Sequence, residues 1–294
     1  MNRVGIVGTG RAGVGLGLAL AQAGFGVRLH GRNKHDLPKP LESSWGGTPA
    51  WISEIEVLLL AVPDGAVAGV ARSIAETGRL REGQVVLHLS GLLDAAVLEP
   101  ARRVGCAVGS MHPLQSLSTP LAVPESLKGA TAAIEGDPPA VAAAEGLARA
   151  IGLHPIRLSP GAKPLYHAAA VFGSNYVVVL AATAQRLFEL AGLSREEALR
   201  ALRALLQGTV ANLARQDPQA ALTGPVARGD SATIQRHLAA LPTEEAQLYC
   251  ALARGALGLT TIASADRQAI ESELDIYRER VRESRLGHQP GRQS

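Results

Sequence analysis

RVGIVGTGRAGVGLG, residues Arg3 to Gly17, carries the strongest fold signal in the chain. Val4, Ile6 and Val7 form an apolar run of strand type. Gly8, Gly10 and Gly13 then spell G-x-G-x-x-G, and a helical apolar pattern runs from Val14 to Ala23. Strand, glycine turn and helix in immediate succession are the context a dinucleotide fingerprint requires. Gly8 permits the tight turn, Gly10 lets the backbone approach a pyrophosphate, and Gly13 lets helix and strand pack closely. With Thr9, Arg11 and Ala12 between them, they would place helix N–H groups and a partial positive charge under the phosphates. The competing reading is a tight βα turn that binds nothing.

Gly24 closes the first helix and Val27–His30 forms a second strand. An NAD site places an acidic residue about 20 residues beyond the glycines to hold the ribose 2′-hydroxyl. No acidic residue precedes Asp36; Arg32, Asn33 and Lys34 stand there instead. A guanidinium pairs with a 2′-phosphate in bidentate fashion, so the sequence favours NADP(H). The alternative for Arg32 is a solvated turn. Leu37–Trp51 reads as a surface connection. Val57–Val62 is a continuous apolar run, typical of a central parallel strand. At its end, Val62 and Pro63 are expected beside the cofactor, with Asp64 as an alternative helix cap.

Further strands are expected at 84–89, 107–111, 131–134 and 154–158, with helices at 67–77, 93–104 and 139–151. This alternation predicts a Rossmann-type α/β domain with a doubly wound parallel sheet over residues 1–160. No strand pattern survives beyond Pro164. An all-α domain is expected over 161–285, with helices at 164–191, 194–215, 230–240, 243–262 and 265–285 and a disordered tail at 286–294.

The length of 294 residues agrees with two domains. A net charge of +3 without clustered Lys and Arg argues against nucleic acid. Cys106 and Cys250 lie far apart, which argues against a metal site or a disulfide framework and suits a reducing cytoplasm. The opening MNRVGIVG is already a strand, so no signal peptide is expected. Ala168–Gln185 carries no charge and approaches membrane-spanning length. Its Gly173, Ser174, Asn175, Tyr176, Thr183 and Gln185 favour a helix buried inside protein over a membrane span.

The most informative polar spacing opens the helical half. Lys163, His167 and Ser174 fall on one narrow helical face, with Asn175 at its margin. Polar groups on an otherwise apolar helix need partners; they form a structural cluster or line a cleft. Lys163 and His167 are the candidate catalytic residues, Ser174 and Asn175 candidate substrate contacts. His112 ends a parallel strand, where ligands sit in such sheets, and is the third catalytic candidate. Ser90 is similarly placed at the end of the preceding strand. Arg228, in LTGPVARGD, is a candidate for a substrate carboxylate; the alternative is a salt-bridged loop with Asp230 capping the next helix.

GIVGTGRAG, AVPD, HLSG, MHPLQSLS, KPLYHAAAVFGSNY and LTGPVARGD together resemble a bacterial family of Rossmann-like oxidoreductases with a C-terminal helical domain of unknown function. The resemblance runs to about residue 260. The N-terminal half is similar to pyrroline-5-carboxylate reductase, ketopantoate reductase and the 6-phosphogluconate/3-hydroxyacid dehydrogenases. The resemblance implies that Lys163 matches a lysine which moves the substrate proton, and that His167 replaces an asparagine four residues later. It also implies a homodimer formed through the helical domain.

These readings converge on an NADP(H)-dependent oxidoreductase of a small carbonyl, hydroxy-acid or imine substrate bound between the domains. The alternatives are a non-catalytic NADP(H)-binding sensor and a structural dimer with a vestigial nucleotide fold.

Overall fold

The computed structural model describes residues 2–117 and 119–286, except the side chains at 281 and 283–286. The tail expected beyond Leu286 lies outside the described residues. Two compact units divide at Val177/Val178.

The first unit holds β1 (Arg3–Val7), α1 (Arg11–Gln22), β2 (Gly26–Gly31), β3 (Glu42–Trp45), β4 (Val57–Leu60) and α2 (Asp64–Glu76). It continues with β5 (Val85–His88), α3 (Glu99–Arg102), β6 (Ala107–Leu114), α4 (Val123–Leu127), β7 (Thr131–Gly136), α5 (Pro138–Ala150), β8 (His154–Arg157) and α6 (Lys163–Gly173). The eight strands form one sheet in the order β3-β2-β1-β4-β5-β6-β7-β8. Every neighbouring pair is parallel except β6 and β7.

Strand side chains point alternately to the two faces, and the core is divided accordingly. Val4, Ile6, Val57, Leu59 and Leu87 pack with Leu16 and Leu20 of α1 and Leu147 of α5. Val7, Leu58, Leu60 and Val86 pack with Val67, Ala71 and Ile74 of α2. Every residue of β4 is fully buried, because helices cover both faces. The sheet is doubly wound, as the sequence predicts.

Four local expectations are corrected. Glu42–Trp45 is an edge strand and not a surface connection: Trp51 Nε1 donates to Ser44 Oγ (3.0 Å), and His30 Nδ1 lies 3.0 Å from the same hydroxyl. Residues 93–104 form a 3-10 turn at Ala95–Leu98 and the short α3, not one helix. Asp64 makes no cap; it lies in the first turn of α2 behind Pro63. The helix expected at 164–191 breaks at Ser174 (φ −132°, ψ −72°), where Gly-Ser-Asn gives poor helical propensity.

The second part of that helix is α7 (Asn175–Leu190), followed by α8 (Arg195–Leu213), α9 (Pro218–Ala221), α10 (Ser231–Ala240), α11 (Thr243–Leu257) and α12 (Ser264–Leu286). Ser194 and Glu197 form a capping box on α8, and Asp230 caps α10 through the Thr233 N–H. The core of the second unit joins Val226, Ile234, Leu238, Ala246, Leu257, Ile270 and Leu274. No residue of α7 is buried in the single chain. The burial inside protein expected for this stretch is therefore not met within the single chain. By length and composition alone, Lys163–Leu190 would suffice to cross a membrane.

Candidate active site

The glycine turn sits at the carboxyl end of β1. Gly8 has φ +119°, and a Cβ there would strike the Ala61 carbonyl. A Cβ on Gly13 would strike the Gly8 carbonyl, so α1 reaches the strand only through glycine. Gly10 differs: a Cβ would meet no atom within 4 Å. It caps α1 without a side-chain hydrogen bond, leaving first-turn N–H groups available to a ligand. A cleft of about 430 Å³ opens here, lined by Gly10, Arg11, Ala12, Val62, Pro63, Ser90 and His112 among others.

Gly8 N donates to His30 O (2.8 Å), tying the turn to the end of β2. A Cβ on the next residue, Gly31, would lie 2.7 Å from Thr9 Oγ1, so the chain leaves β2 against the glycine turn. Arg32, Asn33 and Lys34 follow directly, all exposed. Among the described residues, Arg11, Arg32 and Lys34 form no ion pair. This cradle fits a dinucleotide phosphate: open backbone donors, no filling side chain, and uncommitted cations beside it.

The polar cluster lies around Ser90 and Gly91, just beyond β5. Lys163 opens α6 yet is 2% exposed. Its Nζ donates to Ser90 O (2.6 Å) and Ser110 Oγ (2.7 Å). Burial outweighs the nearby carboxylates of Glu135, Asp64 and Asp94 and lowers its pKa to about 8. The ammonium thus titrates close to neutrality.

One turn along α6, Tyr166 and His167 face the same place. Tyr166 Oη and His112 Nδ1 share a hydrogen bond of 2.9 Å, with the rings edge to face. His112 and His167 ring centroids are 6.0 Å apart. A Cβ on Gly91 would lie 2.6 Å from His167 Nδ1 and 2.9 Å from His112 Nε2. The absence of a side chain at Gly91 is what lets both imidazoles approach. His167 Nδ1 is buried without a hydrogen-bond partner among the described residues, against the rule that buried polar atoms are paired. Burial first, then the Lys163 and His167 charges, lowers the His112 pKa to about 4. Tyr166 is pushed up to about 12 by burial. His112 and Tyr166 are therefore neutral near pH 7.

His88 is fully buried beneath this cluster. Its Nδ1 accepts from Ser90 N–H (3.2 Å), so its Nε2–H donates to Asp94 O (3.1 Å). Desolvation, then the Lys163 charge, lowers its pKa to about 4. Ser90 Oγ accepts from Leu92 and Leu93 N–H (3.1 and 3.0 Å), fixing the loop.

The structure thus brings together Lys163, His167, His112 and Ser90. It leaves Ser174 and Asn175 exposed at the helix break, with no side-chain hydrogen bond among the described residues. Arg228 is exposed in the second unit and forms no ion pair among the described residues. Tyr166, His88, Ser110 and Glu135 belong to the cluster without having been singled out in the sequence. Tyr166 alone had a visible signal, being next to His167 on the opening turns of α6. Among the described residues no group of three His, Cys, Asp or Glu side chains is arranged to hold a metal.

Residues 1–113 match the model of a Rossmann-like domain, and residues 130–256 that of a domain of unknown function, DUF2520. Comparison with curated proteins gives no match. Among solved structures, a Bacteroides fragilis protein provisionally assigned as an NADP oxidoreductase has a TM-score of 0.69 at 22% identity, covering 87% of this chain and 98% of its own. A reductive aminase from Aspergillus terreus in complex with NADPH has 0.59 at 19%, covering 98% and 96%. A Plasmodium falciparum pyrroline carboxylate reductase with NADP bound has 0.58 at 13%, covering 94% and 97%. At these identities the likeness is one of fold.

Proposed function

We propose that the chain is an NADP(H)-dependent oxidoreductase acting on a small carbonyl, hydroxy-acid or imine compound. The observation that carries this is the position of Lys163. It is a buried ammonium tied to the carbonyl of Ser90, a residue that lines the same cleft as Gly10, Arg11 and Ala12. The NADP and NADPH bound to the Plasmodium and Aspergillus relatives support the cofactor.

Gly8, Thr9, Gly10, Arg11, Ala12 and Gly13 would hold the pyrophosphate. Arg32, with Asn33 and Lys34, would hold the 2′-phosphate, and Val62 and Pro63 would wall the cleft. Bound NADP(H) supplies or takes the hydride. The chain itself manages the proton. Reduction leaves negative charge on the substrate oxygen or nitrogen, and Lys163, two of whose N–H groups are committed to Ser90 and Ser110, has a third to give. His112 and His167 flank Gly91 and orient the reacting group by hydrogen bonding. Ser174 and Asn175 are retained as candidate substrate contacts, and Arg228, in the second unit, separately as a candidate for binding a carboxylate; none of their side chains has a hydrogen-bond partner among the described residues.

The chain also fits a homodimer. Leu165 (80% exposed), Phe172 (69%) and Val178 (68%) leave α6 and α7 with apolar surface that a second copy would cover. Sedimentation at micromolar concentration should show a dimer; a monomer overturns that part. Both cysteines are free, in keeping with the proposed cytoplasmic setting.

The function is tested by following NADPH consumption with a panel of small keto acids, aldehydes and cyclic imines. Turnover that disappears in Lys163→Ala is expected. Turnover unchanged in that variant overturns the assignment of Lys163.

A further inference from the structure

Lys163 Nζ has a second polar neighbour besides the loop at Ser90, and it leads away from the glycine turn. Ser110 on β6 is fully buried, and its hydroxyl, which accepts from Lys163, donates to Glu135 Oε1 (2.8 Å). Glu135 is opposite Ser110 in the antiparallel β6–β7 register, so the two side chains share a face. The carboxylate lies 4.0 Å from Nζ, with 14% of its side chain exposed. It lines a separate cavity of about 600 Å³ with Asp94, Arg102, Asp137 and Arg157. None of the residues lining that cavity lines the glycine cleft.

A buried proton donor that gives up its proton must recover it. On the cleft side a bound substrate would stand between Lys163 and water. We propose that Ser110 and Glu135 form a proton relay that recharges Lys163 from solvent in the second cavity. The inference rests on the reading of Lys163 as proton donor. Loss of one proton to substrate leaves the neutral amine. The amine takes the Ser110 hydroxyl proton as that hydroxyl takes one from the Glu135 carboxyl, itself protonated by cavity water. The chain ends as it began: ammonium, hydroxyl and carboxylate, with one solvent proton delivered per turnover. Ser110 and Glu135 are positioning residues, since they act through Lys163. The antiparallel β6–β7 pair acquires a purpose, because it sets Ser110 and Glu135 directly opposite one another.

The other charged and titratable groups facing Lys163 are Asp64, Asp94, His88 and His112. Among the described residues none of these is joined to Lys163 through a hydroxyl, as Glu135 is through Ser110.

The test needs neither substrate nor dinucleotide. The chain has four lysines, Lys34, Lys39, Lys128 and Lys163, and only the last is buried. Lysine labelled with nitrogen-15 in the full chain therefore gives four side-chain signals, with Lys163 identified by its loss in Lys163→Arg. The relay predicts that Lys163 exchanges its Nζ protons with water within about tenfold of the other three despite its burial. Glu135→Gln and Ser110→Ala should each slow that exchange at least tenfold, and Glu135→Asp should restore part of it. A bare counter-ion acts the other way: removing its charge lowers the Lys163 pKa and speeds proton loss. Exchange that is unchanged or faster in Glu135→Gln overturns the relay, provided the thermal melt shows the variant folded. The same holds if wild-type Lys163 exchanges more than a hundredfold slower than the exposed lysines. Failure to bind NADPH would strike the donor reading of Lys163 and leave the exchange result standing.

Discussion

The two ends of the candidate site are built from different materials. The glycine turn is backbone: Gly8 and Gly13 remove side chains so that α1 and β1 can meet, and Gly10 leaves amides uncovered. Its cations, Arg11, Arg32 and Lys34, are exposed and unpaired among the described residues. The Lys163 end is side chain: a buried ammonium stands among two half-buried imidazoles and a half-buried phenol, and the ammonium, His112 and the phenol titrate away from their usual ranges. The first arrangement suits holding a fixed anion, since amides and guanidinium groups do not titrate near neutrality. The second suits moving a proton, since burial brings Lys163 to about 8 while keeping His112 neutral. Binding and proton chemistry should therefore come apart when each end is damaged alone.

Lys163→Ala should separate them most sharply. Turnover should fall by roughly 10²–10⁴-fold, the range of a lost general acid, while NADPH affinity stays within about threefold. Equal loss of both would mean that Lys163 holds the fold of the cleft. In the wild type, reduction should slow as pH rises through about 8, where Lys163 loses its proton.

Acid should damage the second end and spare the first. His88 has a folded pKa of about 4 against 6.5 unfolded. A depressed folded pKa means stability that is full above about 6.5 and lost as pH falls towards 4. The loss is on the order of 3 kcal/mol for this one group, and His112 adds in the same direction. Urea unfolding near pH 7 and near pH 4.5 measures it, and a flat profile would show that His88 is not held neutral.

The smallest change is expected at the exposed end. Arg32→Ala removes charge-assisted hydrogen bonds worth about 1.5–3 kcal/mol, so NADPH should bind roughly 10–100-fold more weakly with NADH unaffected. Comparable loss for both would place Arg32 elsewhere than at the 2′-phosphate.

How much of this the sequence discloses follows the same division. The glycine turn lies within eleven residues of the N-terminal strand, so spacing alone revealed it. Lys163 and His167 were visible as polar residues one turn apart on an apolar helix. Their partners were not. Ser90 is 73 residues from Lys163 and Ser110 is 53, while Ser110 and Glu135 meet only through strand register. His88 reads as one more residue of an apolar strand. The polar edge strand Glu42–Trp45 has no apolar alternation to announce it. The apolar pattern of α7 specifies only that something should cover it, not that the same chain will.

The most direct test is titration with NADPH and NADH, followed by nicotinamide fluorescence, in the wild type, Arg32→Asp and Lys163→Ala. NADPH should bind more tightly than NADH, a preference abolished by Arg32→Asp and kept by Lys163→Ala. Binding of neither dinucleotide by the wild type would contradict it and reduce the glycine turn to a structural turn.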